Sequence, residues 1–328
     1  MRAARAGNAR LSRAPRLFAS ALAAALGCLL SAHAWATGTG PADSAGAASQ
    51  PRSPSAEITV TDDSGRVLRL PRPAQRVITL SPHLTELAFA AGAGAAVVGV
   101  GRYSDYPDAA AQLPQVGDAL SLNLEAMARL RPDLILVWQS GTPARQRQRL
   151  QALGVPVFEN EIATVADLAA TLRRLGTLMG STGPAEAATR DVEMRWAALA
   201  ARHAGRPTVR VFYSIWDAPL MTVNGRHLIQ QAITACGGTN AFADLPTLTP
   251  TIGWDAAVRS NPELIVTAQI AEAQTRAAWS RFGQVAAVRG SHIVGLPADL
   301  LTRMTPRFIE GAEQLCHAIE AVRSSRPK

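Results

Sequence analysis

One passage occurs twice in this chain, at an offset of 130 residues. Residues 125–137 read EAMARLRPDLILV, and residues 255–267 read DAAVRSNPELIVT. Glu125 matches Asp255, and Pro132 matches Pro262. Each copy opens on a carboxylate and runs through a short stretch of helical periodicity. Each then turns at a proline and enters an apolar run of strand character. The period is far too long for a solenoid repeat and has the size of a compact domain. Two α/β lobes of one plan imply a ligand held in the cleft between them.

The start of the chain reads differently. Arg2, Arg5, Arg10, Arg13 and Arg16 precede an apolar run from Leu17 to Leu30, and Ala34-Trp35-Ala36 supplies the small residues of a cleavage site. This predicts a signal peptide over 1–36, because the run is too short to span a membrane. Ala25-Leu26-Gly27 before Cys28 fits a lipid-attachment box poorly, which argues against an anchor there. The leader holds five arginines and no acid, so 28 basic residues remain against 25 acidic ones. Most of the formal +8 charge belongs to the leader, and no case for nucleic acid survives. Cys236 and Cys316 are then the only cysteines left. An even pair in an exported chain predicts a disulfide.

Residues 37–56, rich in Gly, Ala, Ser and Pro, read as a disordered lead-in. A first α/β lobe is expected over 57–163, opening on a hairpin at 57–70 with its turn at Asp62-Asp63-Ser64-Gly65. A helical connection is expected over 164–206, and a second α/β lobe over 207–325. Strands alternating with helices argue for parallel sheets covered on both faces. A helix crossing between lobes is a stiff hinge that resists large closure.

Ligands of parallel sheets gather at the carboxyl ends of the strands. Trp138 and Trp216 end strands in opposite lobes and suit stacking platforms. Tyr103-Ser104-Asp105-Tyr106-Pro107 falls on a loop after another strand, and Asp299 and Arg303 follow the last one. The pair at (i, i+4) reads as a local ion pair or as ligand contacts. Catalytic readings find no support. The chain has no Gly-x-Ser-x-Gly, no phosphate loop, no His-Glu-x-x-His and no Cys-x-x-Cys. His83, His203, His227, His292 and His317 share no metal-ligand spacing.

At these residues the chain resembles the periplasmic cobalamin (vitamin B12)-binding proteins of ABC importers. The likeness runs over 76–322. It is carried by Arg-Val-Ile-Thr-Leu-Ser-Pro (76–82), Thr-Glu-Leu-Ala-Phe-Ala-Ala-Gly (85–92), Tyr-Ser-Asp-Tyr-Pro (103–107), Asn-Leu-Glu (123–125), Cys-Gly-Gly (236–238) and Asp299 through Arg307. The resemblance implies an α/β fold of two Rossmann-like lobes joined by a long rigid interdomain helix. It implies binding rather than catalysis, with no resident cofactor. Cobalamin is then the transported ligand, and the partners are a permease dimer with its ATPase subunits. The protein itself would be a periplasmic monomer that meets the membrane only through the permease.

Tyr103 and Trp138 would line the first-lobe face, with Asp299 and Arg303 meeting ligand amides from the second. Glu125 and Asp255 would dock on permease arginines, although first-turn carboxylates also suit a helix dipole. The family has tryptophans where this chain has Ala119 and Thr249, with Trp254 a few residues on. His83 stands where the family has a small residue, and reads either as a solvated histidine at a helix start or as a group that approaches the axial side of the cobalt. The alternatives are a heme or ferric-siderophore binder on the same fold, an exported α/β enzyme, and a sensor subunit that does not transport.

Overall fold

The computed structural model describes residues 57–118 and 120–326. The expected signal peptide, the lead-in, Cys28 and Ala119 lie outside the described residues.

The first lobe opens on an antiparallel hairpin, β1 (Ile58–Thr61) and β2 (Val67–Leu70). It continues through β3 (Val77–Thr79), α1 (Pro82–Ala90), β4 (Val97–Val100), α2 (Asp108–Ala111), α3 (Leu124–Arg129), β5 (Leu134–Trp138), α4 (Ala144–Gln151) and β6 (Val157–Asn160). Two longer helices follow, α5 (Val165–Met179) and α6 (Thr182–His203). The second lobe starts with β7 (Val209–Tyr213) and a short hairpin, β8 (Trp216–Asp217) and β9 (Leu220–Met221). Then come α7 (Leu228–Ala235), β10 (Gly238–Asn240), α8 (Trp254–Arg259), β11 (Leu264–Ala268) and α9 (Glu272–Trp279). The lobe closes with α10 (Ala286–Arg289), β12 (Ile293–Leu296), α11 (Ala298–Thr302) and α12 (Phe308–Ser324).

Each lobe is built on a four-stranded parallel sheet, ordered β4-β3-β5-β6 in the first and β10-β7-β11-β12 in the second. The order is the same in both: second, first, third, fourth. The repeated passage occupies matched places. Its helices are α3 and α8, and its strands are β5 and β11, each third in its sheet. The turn between helix and strand is also duplicated. Arg131 and Asn261 both take a left-handed backbone, at φ 46° and 43°. Asp133 accepts from the Arg76 backbone N–H at 2.8 Å, and Glu263 from that of Arg210 at 2.9 Å. Arg76 reaches back to the Leu130 carbonyl and Arg210 to that of Ser260. So the carboxylate after each proline staples the turn to the first strand of its sheet. The central strands β3, β5 and β11 are buried on both faces, which is why they read as unbroken apolar runs.

Thr164 and Asp167 form a reciprocal capping box that starts α5, and Gly180 at φ 72° ends it. α5 packs on α1 and β1 of the first lobe. α6 has 22 residues, a span of about 33 Å, and packs against α1, α5, α7 and α12. On α6, Trp196 faces Phe308 of α12 with ring centroids 6.1 Å apart, and Arg195 pairs with Glu313. A single apolar core runs from Leu84 and Leu87 through Leu172 and Val192 to Val211 and Ile309. The lobes therefore share a core on their helical side. Cys236 at the end of α7 and Cys316 in α12 form the disulfide that the cysteine count predicts.

Candidate ligand cleft

Trp138 closes β5, half-buried. Its Nε1 donates to Glu161 Oε1 at 3.4 Å, and Glu161 also accepts from the Ser140 N–H at 2.9 Å and the Ser140 hydroxyl at 3.1 Å. His83 packs edge-on against the indole, with centroids 5.4 Å apart. His83 is 4 % exposed. Burial pushes its pKa down to about 4; Asn160 opposes that shift and the charge of Arg303 adds to it. The imidazole is thus neutral and set against Trp138.

Tyr103 is 68 % exposed and sits at φ 67°, a left-handed backbone that a bulky residue adopts only at a cost. A buried chain of hydroxyls holds its loop. Thr85 Oγ1 donates to Ser104 Oγ at 2.9 Å and lies 2.7 Å from Thr79 Oγ1. Facing this loop, Arg303 follows α11 of the second lobe. Its Nη1 donates to Glu86 Oε1 at 2.9 Å and to Asp105 Oδ1 at 2.6 Å, while Nη2 lies 3.2 Å from Asp299 Oδ2. Arg307 Nε donates to Glu86 Oε2 at 3.1 Å, and its guanidinium lies 4.0 Å from the centroid of the Tyr106 ring. Burial works against the charge of Arg303, but the hydrogen bonds it donates to Asp105 and Glu86 outweigh it and hold its pKa above the ordinary value. The hydrogen bond to Arg303 in turn holds the Asp105 carboxyl below the usual range.

Trp216, on the β8–β9 hairpin, is 61 % exposed, and its Nε1 donates to the Ala218 carbonyl at 2.9 Å. Asp217 anchors the hairpin by accepting from Ser214 Oγ at 2.7 Å and Thr275 Oγ1 at 2.9 Å. A cavity of about 80 Å³ lies between the lobes, walled by Trp138 and Ile162 on one side and by His227, Leu248, Thr302 and Met304 on the other. The exposed large apolar side chains include Tyr103, Tyr106, Leu120, Trp216, Leu248 and Ile270. Tyr103, Tyr106 and Leu120 lie between β4 and α3, Trp216 on the hairpin after β7, Leu248 between β10 and α8, and Ile270 on a short 3-10 turn after β11. Among the described residues, no three His, Cys, Asp or Glu side chains cluster as metal ligands would.

The cleft sets aromatic side chains beside a charged seam. The model of one family, described as periplasmic binding protein, matches residues 77–300. The chain belongs to the periplasmic binding protein family. Its relatives divide by ligand. A vitamin B12-binding protein of Salmonella typhimurium is 36 % identical over 251 residues, covering 76 % of this chain and 91 % of the relative. The crystal structure of the periplasmic vitamin B12 binding protein BtuF of Vibrio cholerae matches at TM-score 0.72 and 31 % identity, over 77 % of this chain and 99 % of that one. A periplasmic heme binding protein from Pseudomonas aeruginosa matches at TM-score 0.67 and 25 % identity, over 77 % and 94 %. The family binds rather than catalyses, which sets the exported-enzyme alternative aside.

In this periplasmic binding protein the two acids of the repeat stand in the first turns of α3 and α8. Both are exposed. Glu125 pairs with Arg129 one turn on. Trp254, beside Asp255, packs instead into an aromatic cluster, 5.3 Å from Trp279 and 5.6 Å from Phe282 between centroids. Thr249 is half-buried in the loop before α8. Trp138 closes its strand as expected, and Tyr103 follows β4. Trp216 does not end β7, which stops at Tyr213; it opens the β8–β9 hairpin, because the chain turns back on itself at Ala218-Pro219. Asp299 lies in α11 after β12, with Arg303 at its end. Sequence reading missed Glu86, Glu161, Tyr106 and Arg307. Tyr106, Glu86 and Arg307 all stood within quoted motifs, so their signal was available. Glu86 was passed over because a Thr-Glu pair in a helix start looks like ordinary solvated polarity.

Proposed function

We propose that this periplasmic binding protein captures cobalamin in the interlobe cleft and delivers it to an ABC importer. The observation that carries the reading is the pairing of two kinds of surface. Tyr103, Trp138 and Trp216 offer aromatic faces at or after strand ends, and the Asp299–Arg303 pair offers polar groups opposite them. A corrinoid is a broad ring edged with amides. It needs apolar area for the ring and a few placed donors and acceptors for the amides. The likeness to vitamin B12-binding relatives supports the same ligand. His83 serves here as a support for Trp138, with the cobalt's axial side as the alternative target of its imidazole.

The cavity of about 80 Å³ is far below the roughly 300–1,000 Å³ of a site that encloses a drug-sized ligand. Cobalamin therefore enters with the Arg303–Asp105 contact parted. The shared core and α6 keep that opening small. Glu125 and Asp255 then present one carboxylate on each lobe to a two-fold permease dimer. Export through the leader at 1–36 and action as a monomer complete the reading.

Calorimetric titration of residues 37–328 with cyanocobalamin, hemin and a ferric siderophore tests it. One-to-one binding of cyanocobalamin alone is expected, weakened about tenfold in Trp138→Ala. Heat from hemin or the siderophore alone would keep the importer role and overturn the ligand.

A further inference from the structure

Two arginines at a cleft edge would ordinarily be read as anchors for an anionic ligand. Here their charge is already taken. Arg303 meets three carboxylates of its own chain, Glu86, Asp105 and Asp299. Arg307 meets Glu86. Within this seam three carboxylates face two guanidiniums, leaving one negative charge in excess. Around the neighbouring cavity, Glu161 and Arg226 cancel.

Glu86 is the hub. It is 3 % exposed, it projects from α1 of the first lobe, and it accepts from two arginines of the second, Oε1 from Arg303 and Arg307 and Oε2 from Arg307. It has no path to solvent that would let it yield to an incoming anion. A ligand carboxylate would have to share Arg303 with Glu86 and place like charges together in a poorly solvated seam. An amide imposes no such penalty. A guanidinium carries five N–H donors, so an amide oxygen can use one that the carboxylates leave, and an amide N–H can donate to Asp105 or Asp299.

We propose that Glu86 is the specificity-determining residue of the cleft, selecting macrocycles edged with uncharged amides and rejecting those edged with carboxylates. This rests on the cobalamin reading and sharpens it. It names the chemical feature by which one fold can tell a corrinoid from a dicarboxylate such as heme.

The test compares dicyanocobinamide with dicyanocobyrinic acid, which has the same ring with carboxylates in place of amides. Hemin is the third ligand. Each is titrated into wild type, Glu86→Gln and Asp105→Asn. Wild type is expected to prefer the amide ring. Glu86→Gln is expected to narrow that preference by about tenfold to a hundredfold, through a gain in affinity for the carboxylated ring. Asp105→Asn is expected to narrow it by less. Asp105 has a side chain 62 % exposed, so its variant keeps the fold and decides the matter if Glu86→Gln does not. An amide preference unchanged in the folded variants overturns the proposal and leaves the cobalamin reading intact. Failure of wild type to bind either corrinoid overturns both.

Discussion

Arg303 Nη1 donates to Glu86 Oε1 at 2.9 Å across a sequence separation of 217. The contact joins the first helix of one lobe to the last turns before α12 in the other. Arg307 reaches the second oxygen of the same carboxylate at 3.1 Å. Removing one partner of a buried ion pair leaves the other desolvated and unmatched, at about 3–5 kcal/mol. Glu86→Ala leaves Arg307 without its carboxylate and Arg303 with only the exposed Asp105 and Asp299, and is expected to cost about that much in urea unfolding. Arg307→Ala leaves Glu86 with Arg303 and should cost less. A loss under about 1 kcal/mol for Glu86→Ala would mean that water reaches the seam.

Much of the fold was legible because its rules are local. β5 and β11 announce themselves as apolar runs after a proline, and the duplicated passage gives both lobes one plan. The disulfide followed from parity and export. Two features stayed hidden. β10 opens on Gly238 and is three residues long, and the β8–β9 hairpin has two residues a side, so neither offers a period to read. The charged seam stayed hidden for a different reason. Glu86 and Arg307 stand in quoted motifs 221 positions apart, and nothing local in either says that they meet; only the tertiary fold brings them together. Trp138 was found from its strand end. The setting of His83 against it was not, because a histidine at a helix start gives no sign of which way the ring turns.

Cys236 and Cys316 are joined across 80 positions. In the chain-entropy account, a loop of that length restricts the unfolded state by about 4 kcal/mol. The double variant Cys236→Ala, Cys316→Ala is expected to lose that amount in denaturant titration. Wild type in reducing agent should match it. Because the bond ties α7 to α12 within the apolar core and neither cysteine walls the cavity, cyanocobalamin affinity should change by less than about threefold. A much larger loss of affinity would mean that the disulfide also shapes the cleft.

Two histidines, His83 buried and His227 half-buried, tie stability to pH. Burial lowers the pKa of His83 to about 4, with Asn160 opposing the shift and Arg303 adding to it, and burial lowers that of His227 to about 4. His227 also caps α7, its Nδ1 accepting the Ile229 N–H at 3.1 Å, which requires the neutral ring. In the unfolded chain both take a proton near pH 6.5. As pH falls below that value, the unfolded state gains protons that the folded state refuses. Their stabilisation is therefore full above pH 6.5 and drains away as pH falls toward 4. Each group contributes on the order of 3 kcal/mol over the whole window. Between pH 6 and 5 the slope from the pair should approach two protons, and His227→Asn, which keeps a capping side chain, should remove one. A slope unchanged in that variant would show that His227 does not resist protonation.

Glu125 and Asp255 stand at matched positions of the repeat, both exposed and neither among the residues that wall the cavity. The ion pair of Glu125 with Arg129 is solvent-exposed on both sides, worth at most about 1 kcal/mol, and easily exchanged for an arginine of a partner. Charge reversal at either site should therefore leave ligand capture alone and disturb delivery. Glu125→Arg and Asp255→Arg are each expected to hold cyanocobalamin within about twofold of wild type. Each should cut stimulation of the cognate importer, reconstituted in liposomes, by about tenfold or more, and the double variant should abolish it. Two acids on a two-fold partner should weigh alike. A strong loss at one position with none at the other would break the symmetric docking that the duplicated lobes imply, and undiminished stimulation in the double variant would move the docking surface elsewhere on the lobes.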